Sequence, residues 1–243
     1  MNWDYSRHYA RFHRDTPEHT ANLHALYRAW LGPHLPADKS TPVLDVGCGR
    51  GYALDWLRGL GYRQLAGVET DAGQAGFARE HGLEVELTSD TATWLDQRRN
   101  AQGLVLLMDV LEHLPRNEDR RILEAIAGAL RPGGILLCTV PNAVSPLANH
   151  WRYLDYTHQT AFTPESLDFL IGHSGFSRVT ILPAEITPRP DRLFWPPGRR
   201  SLRWGLQSLS RLPLRLACLG EFGSVAGWQT PLSPNLLAIA VRD

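Results

Sequence analysis

Three glycines at alternate positions, Gly47, Gly49 and Gly51, follow Val43-Leu-Asp-Val46, a short apolar run interrupted by the acid Asp45. Glycine takes positive φ and lets a ligand approach the backbone with no Cβ in between. The spacing therefore describes a buried strand that turns into a helix over a bound molecule, with Cys48 inside the turn. Glu69 stands at the tip of the next apolar run, Gln64 to Val68, about twenty residues beyond the glycines. A carboxylate there accepts hydrogen bonds from both hydroxyls of a ribose, which implies a nucleoside with a free 2′-OH. A dinucleotide fingerprint would need glycine at position 52. Tyr52 is too large for a pyrophosphate to sit against that helix start, so NAD is not expected. The chain also lacks G-x-x-x-x-G-K-[ST], which excludes phosphate cradling of the nucleotide-triphosphatase kind.

The elements that hold these residues alternate. Apolar runs near 43–46, 65–68, 83–87 and 103–108 read as strands, and helical patterns near 52–59, 72–81, 91–98 and 117–130 separate them. Short buried strands joined this way demand a parallel sheet with right-handed crossovers. Ahead of them, Thr16-Pro17-Glu18 caps a helix reaching about Trp30, and Trp3, Tyr5, Tyr9 and Phe12 precede it on an arm able to close over a site. Ile135 to Val140 is a fifth strand. After a long loop, Thr163 caps a helix to Ile171, Arg178 to Leu182 is a strand, and Asn235 to Val241 is the last. The expected organisation is one domain: an arm and helix (1–35), a core sheet with its loop (36–183), an insertion (184–233) and the last strand (234–243).

Composition narrows the setting. With 243 residues the chain can bury a sizeable core, and 25 basic against 25 acidic residues leave no global field to attract nucleic acid. Cys48, Cys138 and Cys218 are few and scattered, so neither a disulfide framework nor a zinc cluster is supported. His8, His13, His19 and His24 do not share a helical face, and no metal site is expected. The N-terminus lacks an apolar signal region and no stretch reaches the ~18 apolar residues of a membrane span, so a cytoplasmic protein is expected. In the insertion, Leu202, Leu206, Leu209, Leu216 and Leu219 keep helical spacing while Arg203, Arg211 and Arg215 sit off that stripe and Pro213 breaks it. Two readings stand: a cap whose apolar face packs on its own domain or a partner subunit, and a basic amphipathic surface over 199–220 that touches an anionic membrane peripherally.

The ordered motifs resemble those of class I S-adenosylmethionine-dependent methyltransferases. The first reads Leu44-Asp-Val-Gly-Cys-Gly-Arg-Gly51, the second is the acid Glu69, a third is Leu107-Met-Asp-Val-Leu-Glu-His-Leu114, and Leu130-Arg-Pro-Gly-Gly-Ile-Leu-Leu137 leads into the fifth strand. The resemblance implies an α/β, Rossmann-like fold of seven strands with the last antiparallel beside the fifth, and S-adenosylmethionine as cofactor. It puts Asp45 and the backbone of Gly47, Cys48 and Gly49 near the methionyl part and Glu69 on the ribose. Asp90 falls where the family often contacts the adenine amino group, or else caps the next helix. Asp109 faces the methionyl amine or the acceptor, or else caps the following turn. Asp109-Val-Leu-Glu112 departs from the [DNS]-P-P-[YFW] signature of nucleic-acid adenine methyltransferases, and His113 is either a base or a packed helix-start residue.

Beyond Pro141-Asn142, the loop Arg152-Tyr153, Asp155, Thr157-His158 and Phe162-Thr163 resembles a subset of these enzymes linked to bacterial glycan and surface-polysaccharide modification. That implies a sugar hydroxyl as acceptor, with a lipophilic small molecule such as a quinone precursor as the alternative and a non-catalytic binding protein as a third. A hydroxyl is a poor nucleophile, so His158 backed by Asp155 is expected to take its proton. The competing reading makes Asp155 and His158 a pair that fixes the loop. Trp151, Tyr153 and Tyr156 suit sugar faces or anchor the loop.

Overall fold

The Thr16 hydroxyl accepts the His19 amide, and Pro17 occupies the first turn, where a missing N–H costs nothing. Helix α1 follows as Pro17–Trp30. The structure, a computed structural model, describes residues 16–186 and 199–243. The aromatic arm residues Trp3, Tyr5, Tyr9 and Phe12, and the proline-rich stretch from Pro188 to Pro197, lie outside the described residues.

The chain then alternates through β1 (Val43–Val46), α2 (Tyr52–Gly59), β2 (Leu65–Glu69), α3 (Ala72–Glu80), β3 (Val85–Leu87), α4 (Thr91–Asp96), β4 (Gln102–Met108), α5 (Arg116–Ala129) and β5 (Leu130–Pro141). It continues with α6 (Ala148–Leu154), α7 (Pro164–Gly172), β6 (Arg178–Ala184), α8 (Arg199–Ser210), α9 (Leu212–Gln229) and β7 (Asn235–Val241). Seven strands form one sheet in the order β3-β2-β1-β4-β5-β7-β6, parallel except that β7 runs antiparallel to both β5 and β6. This is the Rossmann-like arrangement expected. Strand order reverses between β1 and β4, and in open α/β sheets ligands sit at the carboxyl ends of the strands flanking such a switch.

Alternation along the strands divides the core between two faces. Leu44, Val105, Leu107, Leu136 and Cys138 pack on one side with Ile122, Leu123 and Ile126 of α5. Val43, Leu104, Leu106 and Leu137 pack on the other with Trp30, Trp56 and Leu57. Both faces are covered, which is why these strands read as continuous apolar runs.

Three local features differ from expectation. Strand β5 starts at Leu130, which pairs with Gln102; a register shift around Arg131-Pro-Gly-Gly134, with Gly133 at φ 76°, separates that pair from Leu104↔Ile135. The loop after β5 contains α6. In the insertion, Pro213 lies in the first turn of α9 and separates it from α8, and among the described residues Leu202, Leu206, Leu209 and Leu216 of the leucine stripe are exposed. Arg211 ties this helical pair to the body through a two-pronged ion pair with Glu185, at 2.7 and 2.8 Å.

Candidate active site

At the carboxyl ends of β1, β2 and β4 the chain leaves a cleft of about 830 Å³. Its walls include Tyr27 of α1, the turn Gly47 to Gly49, Glu69, Asp109 and residues of the loop after β5. Gly47 has φ 70°, and a Cβ there would lie 2.7 Å from a Val110 methyl, so both conformation and space demand glycine. The amides of this turn are already used by the protein. Gly47 and Cys48 both donate to the Val68 carbonyl, and Gly49 donates to a Glu69 carboxylate oxygen at 2.8 Å. The turn thus offers the ligand space and not hydrogen-bond donors. The Cys48 thiol packs toward Gly67 and the Leu54–Leu83 cluster, and burial pushes its pKa up, so it stays protonated.

Glu69 is buried, and the amides of Gly49, Thr70 and Asp71 all donate to its carboxylate. Three such bonds orient it at the tip of β2 on the cleft wall. Asp45 is 2% exposed, and its Oδ1 has no hydrogen-bond partner. Burial, together with the nearby Glu69 carboxylate, raises its pKa to about 7. An uncompensated carboxylate in such a place calls for a cation. The ammonium and sulfonium groups of S-adenosylmethionine supply positive charge, and Glu69 supplies the acid for a ribose, so the residues present fit that donor. Asp45 would hold its methionyl end and Glu69 its sugar. Tyr27 stands over the same region; burial and the Asp45 and Asp109 carboxylates keep its phenol protonated.

Asp90 takes the capping alternative. It does not line the cleft: its carboxylate caps α4 by accepting the Thr93 amide and hydroxyl, and pairs with Arg121 at 3.0 Å. Short local bonds of this kind outcompete a longer reach to a ligand, and Thr91 lines the cleft instead. Asp109 does open into the cleft, at φ 54°, with one oxygen accepting the Thr139 hydroxyl at 2.9 Å. It does not cap the next turn, whose N-cap is Val110 and makes no side-chain bond. The surrounding protein raises its pKa, an effect partly opposed by the Thr139 bond and by His158.

The acceptor loop is clamped onto that turn. Gln159 and Thr160 donate to the Glu112 carbonyl, the Gln159 side chain donates to the His113 carbonyl, and the Arg152 guanidinium holds the carbonyls of His158 and Gln159. The expected Asp155–His158 pair is not formed. Asp155 accepts the Thr157 amide and hydroxyl, at 2.8 and 2.7 Å, and the Thr157 oxygen meets His113 Nδ1 at 2.8 Å. The carboxylate therefore stands behind His113. His158 Nδ1 lies 3.0 Å from the Trp151 carbonyl, which can only accept; Nδ1 carries the proton and Nε2 the lone pair. Asn142 is fully buried and bridges the Pro231 and Ser233 carbonyls, a structural post. Trp151 lines the cleft, whereas Tyr153 and Tyr156 are turned outward, 73% and 82% exposed.

Sequence reasoning missed Glu112, which is 1% exposed, lines the cleft and leaves Oε2 without a partner. Burial and the neighbouring Asp109 and Asp155 carboxylates push its pKa well up. The available signal was an acid placed directly before a histidine in the turn after β4.

A family model described as a methyltransferase domain matches residues 13–181. The chain belongs to that family. The fold of this methyltransferase is similar to that of an S-adenosylmethionine-dependent methyltransferase from Archaeoglobus fulgidus, with TM-score 0.68 and 21% identity over 98% of this chain and 100% of that one. It is also similar to a phosphoethanolamine N-methyltransferase from Haemonchus contortus solved with S-adenosylhomocysteine, with TM-score 0.58 and 16% identity over 96% and 59% of the two chains. Among curated proteins, ubiquinone biosynthesis O-methyltransferases resemble it. The Dinoroseobacter shibae protein is 33% identical over 43% of this chain and 42% of its own length, and the Paraburkholderia phytofirmans protein 32% over 46% and 49%. The matched region spans about half the length of these relatives or less. S-adenosylmethionine is the methyl donor of this fold.

Proposed function

We propose that the chain transfers the methyl group of S-adenosylmethionine to a hydroxyl oxygen of a lipophilic small molecule. One observation carries the reading: the acids fitted to the donor, Asp45 and Glu69, and the imidazoles of His113 and His158 line a single cleft. The bound donor would supply an activated methyl on a cationic sulfur. The protein's part is to hold donor and acceptor in line and to exclude water, and His158 activates the acceptor hydroxyl from the loop side. Val110, Leu114, Ile122, Leu154 and Ile186 give the cleft an apolar lining, and the relatives named for ubiquinone biosynthesis support a quinone precursor as the class of acceptor. Trp151 favours a second reading, a sugar hydroxyl of a glycan precursor, although Tyr153 and Tyr156 face away.

The exposed leucines of α8 and α9, with Phe222, Val225 and Trp228, support peripheral contact with a membrane in which a lipophilic acceptor resides. Among the described residues no helix is long and apolar enough to cross a membrane. The deciding experiment offers radiolabelled donor with polyprenylated phenols and with glycan precursors as separate substrates. Label on the phenols supports the reading, label on the glycans alone moves it to the second, and label on neither refutes both.

A further inference from the structure

Beyond the donor site, the third motif and the acceptor loop bring three metal-ligating groups together. A carboxylate oxygen of Glu112 and one ring nitrogen each of His113 and His158 lie within 4.8 Å of one another. Three ligand atoms held about 2.1 Å from a common ion lie about 3.4–3.6 Å apart, so side-chain rotations that draw these atoms together by up to roughly an ångström close the triad. The two imidazoles are 4.6 Å apart between ring centres.

Their tautomers point the same way. His158 Nδ1–H is given to the Trp151 carbonyl. Because the Thr157 hydroxyl hydrogen goes to Asp155, the Thr157 oxygen must accept from His113 Nδ1–H. Both rings thus carry their lone pair on Nε2. Metal-bound histidines have this arrangement: the far nitrogen is fixed by a backbone carbonyl or by a relay to a carboxylate. Glu112 adds the independent sign, a side chain 1% exposed whose Oε2 has no partner. Burying that oxygen unpaired is costly unless an ion or a ligand meets it.

We infer that Glu112, His113 and His158 form a site for a divalent cation that holds the acceptor oxygen. Two imidazoles and one carboxylate favour a transition ion such as zinc, manganese or cobalt over magnesium or calcium, which prefer oxygen ligands throughout. Three protein ligands leave positions open toward the cleft, and an acceptor with two adjacent oxygens can chelate there. Coordination acidifies the hydroxyl, whose proton leaves to water. That oxygen then forms the new O–CH3 bond as the S–CH3 bond breaks, and the electron pair remains on sulfur as a neutral thioether. His158 thereby activates the hydroxyl through the cation instead of receiving the proton on its own nitrogen. The site rests on the O-methyltransfer reading for its purpose but not for its existence.

The test uses the full chain, freed of any affinity tag and stripped with chelator, titrated with Co2+ alone and followed by its visible absorption. One equivalent should bind, with a spectrum characteristic of nitrogen ligation. Glu112→Gln and His158→Ala should each weaken Co2+ by at least about tenfold, and Thr157→Val, which removes the relay behind His113, by about 10- to 100-fold. Calorimetry with S-adenosylhomocysteine on the same samples should give unchanged affinity, which certifies the fold. A wild-type protein that binds S-adenosylhomocysteine but not Co2+ overturns the metal site alone, as do Glu112→Gln and His158→Ala variants that bind Co2+ like wild type. Failure to bind S-adenosylhomocysteine while Co2+ binds removes the donor reading and leaves the metal site standing.

Discussion

Asp45 sets stability against donor binding, and a single amide substitution should separate the two. Its carboxyl has a folded pKa of about 7 against an ordinary 3.8, because burial and Glu69 disfavour the charge. A carboxyl raised by folding keeps its proton longer in the native state, so between about pH 4 and pH 7 the folded chain binds more protons than the unfolded one. Its contribution to stability therefore falls as pH rises through that window. The displacement corresponds to on the order of 4 kcal/mol once the group is fully ionised. Asp45→Asn keeps the shape and removes the charge. In urea unfolding it should match wild type within about 1 kcal/mol at pH 4 and exceed it by several kcal/mol, up to ~4, at pH 8. Taking the difference between the two proteins cancels the other raised acids of the cleft, Asp109 and Glu112, which push in the same direction. In calorimetry the order reverses. Wild type should bind S-adenosylhomocysteine about tenfold more weakly for each pH unit below 7, with proton release on binding, while Asp45→Asn binds weakly at every pH. An Asn variant no more stable than wild type at pH 8, or a stability difference that ignores pH, would refute the argument.

Replacing Glu69 by Gln should weaken S-adenosylhomocysteine by about 1.5–3 kcal/mol for each charged hydrogen bond lost, measured by calorimetry. It should also lower the melting temperature, because the Gly49, Thr70 and Asp71 amides lose a charged acceptor. His158→Ala should keep donor affinity and lose most turnover in a methyl-transfer assay; unchanged turnover would remove His158 from the reaction. Asp90→Ala should lower the melting temperature, through loss of the α4 cap and the Arg121 pair, yet leave donor affinity as it was. Loss of donor affinity there would restore the adenine role. Gly47→Ala should abolish donor binding, and adding Val110→Ala should recover only part of it, since space is returned but the positive φ is not.

Much of the frame was legible because its signals are local. A glycine turn, a threonine-proline start and a short apolar run each act within a few residues, and β1, α2 and β7 fall on the residues the pattern marks. What failed depends on longer or competing contacts. The partner of Asp155 was misjudged because a hydroxyl and an amide two residues away satisfy the carboxylate before a histidine can. Asp90 failed for the same reason. The grouping of Glu112 with His158 joins segments 46 residues apart through the Gln159 clamp, which no periodicity encodes. Helix α6 was not anticipated: it lies inside a loop rich in polar and aromatic residues, and no side chain caps its start.

The left-handed backbone at Asp109 restricts what can replace it. Aspartate, asparagine and glycine tolerate that conformation, while other side chains strain it by about 1–3 kcal/mol. An alanine scan at this position would report torsional cost mixed with lost chemistry. Asparagine, isosteric and at ease in the same dihedral well, is the substitution that would isolate the negative charge, and the set of tolerated replacements is fixed by main-chain geometry ahead of any demand from the ligand.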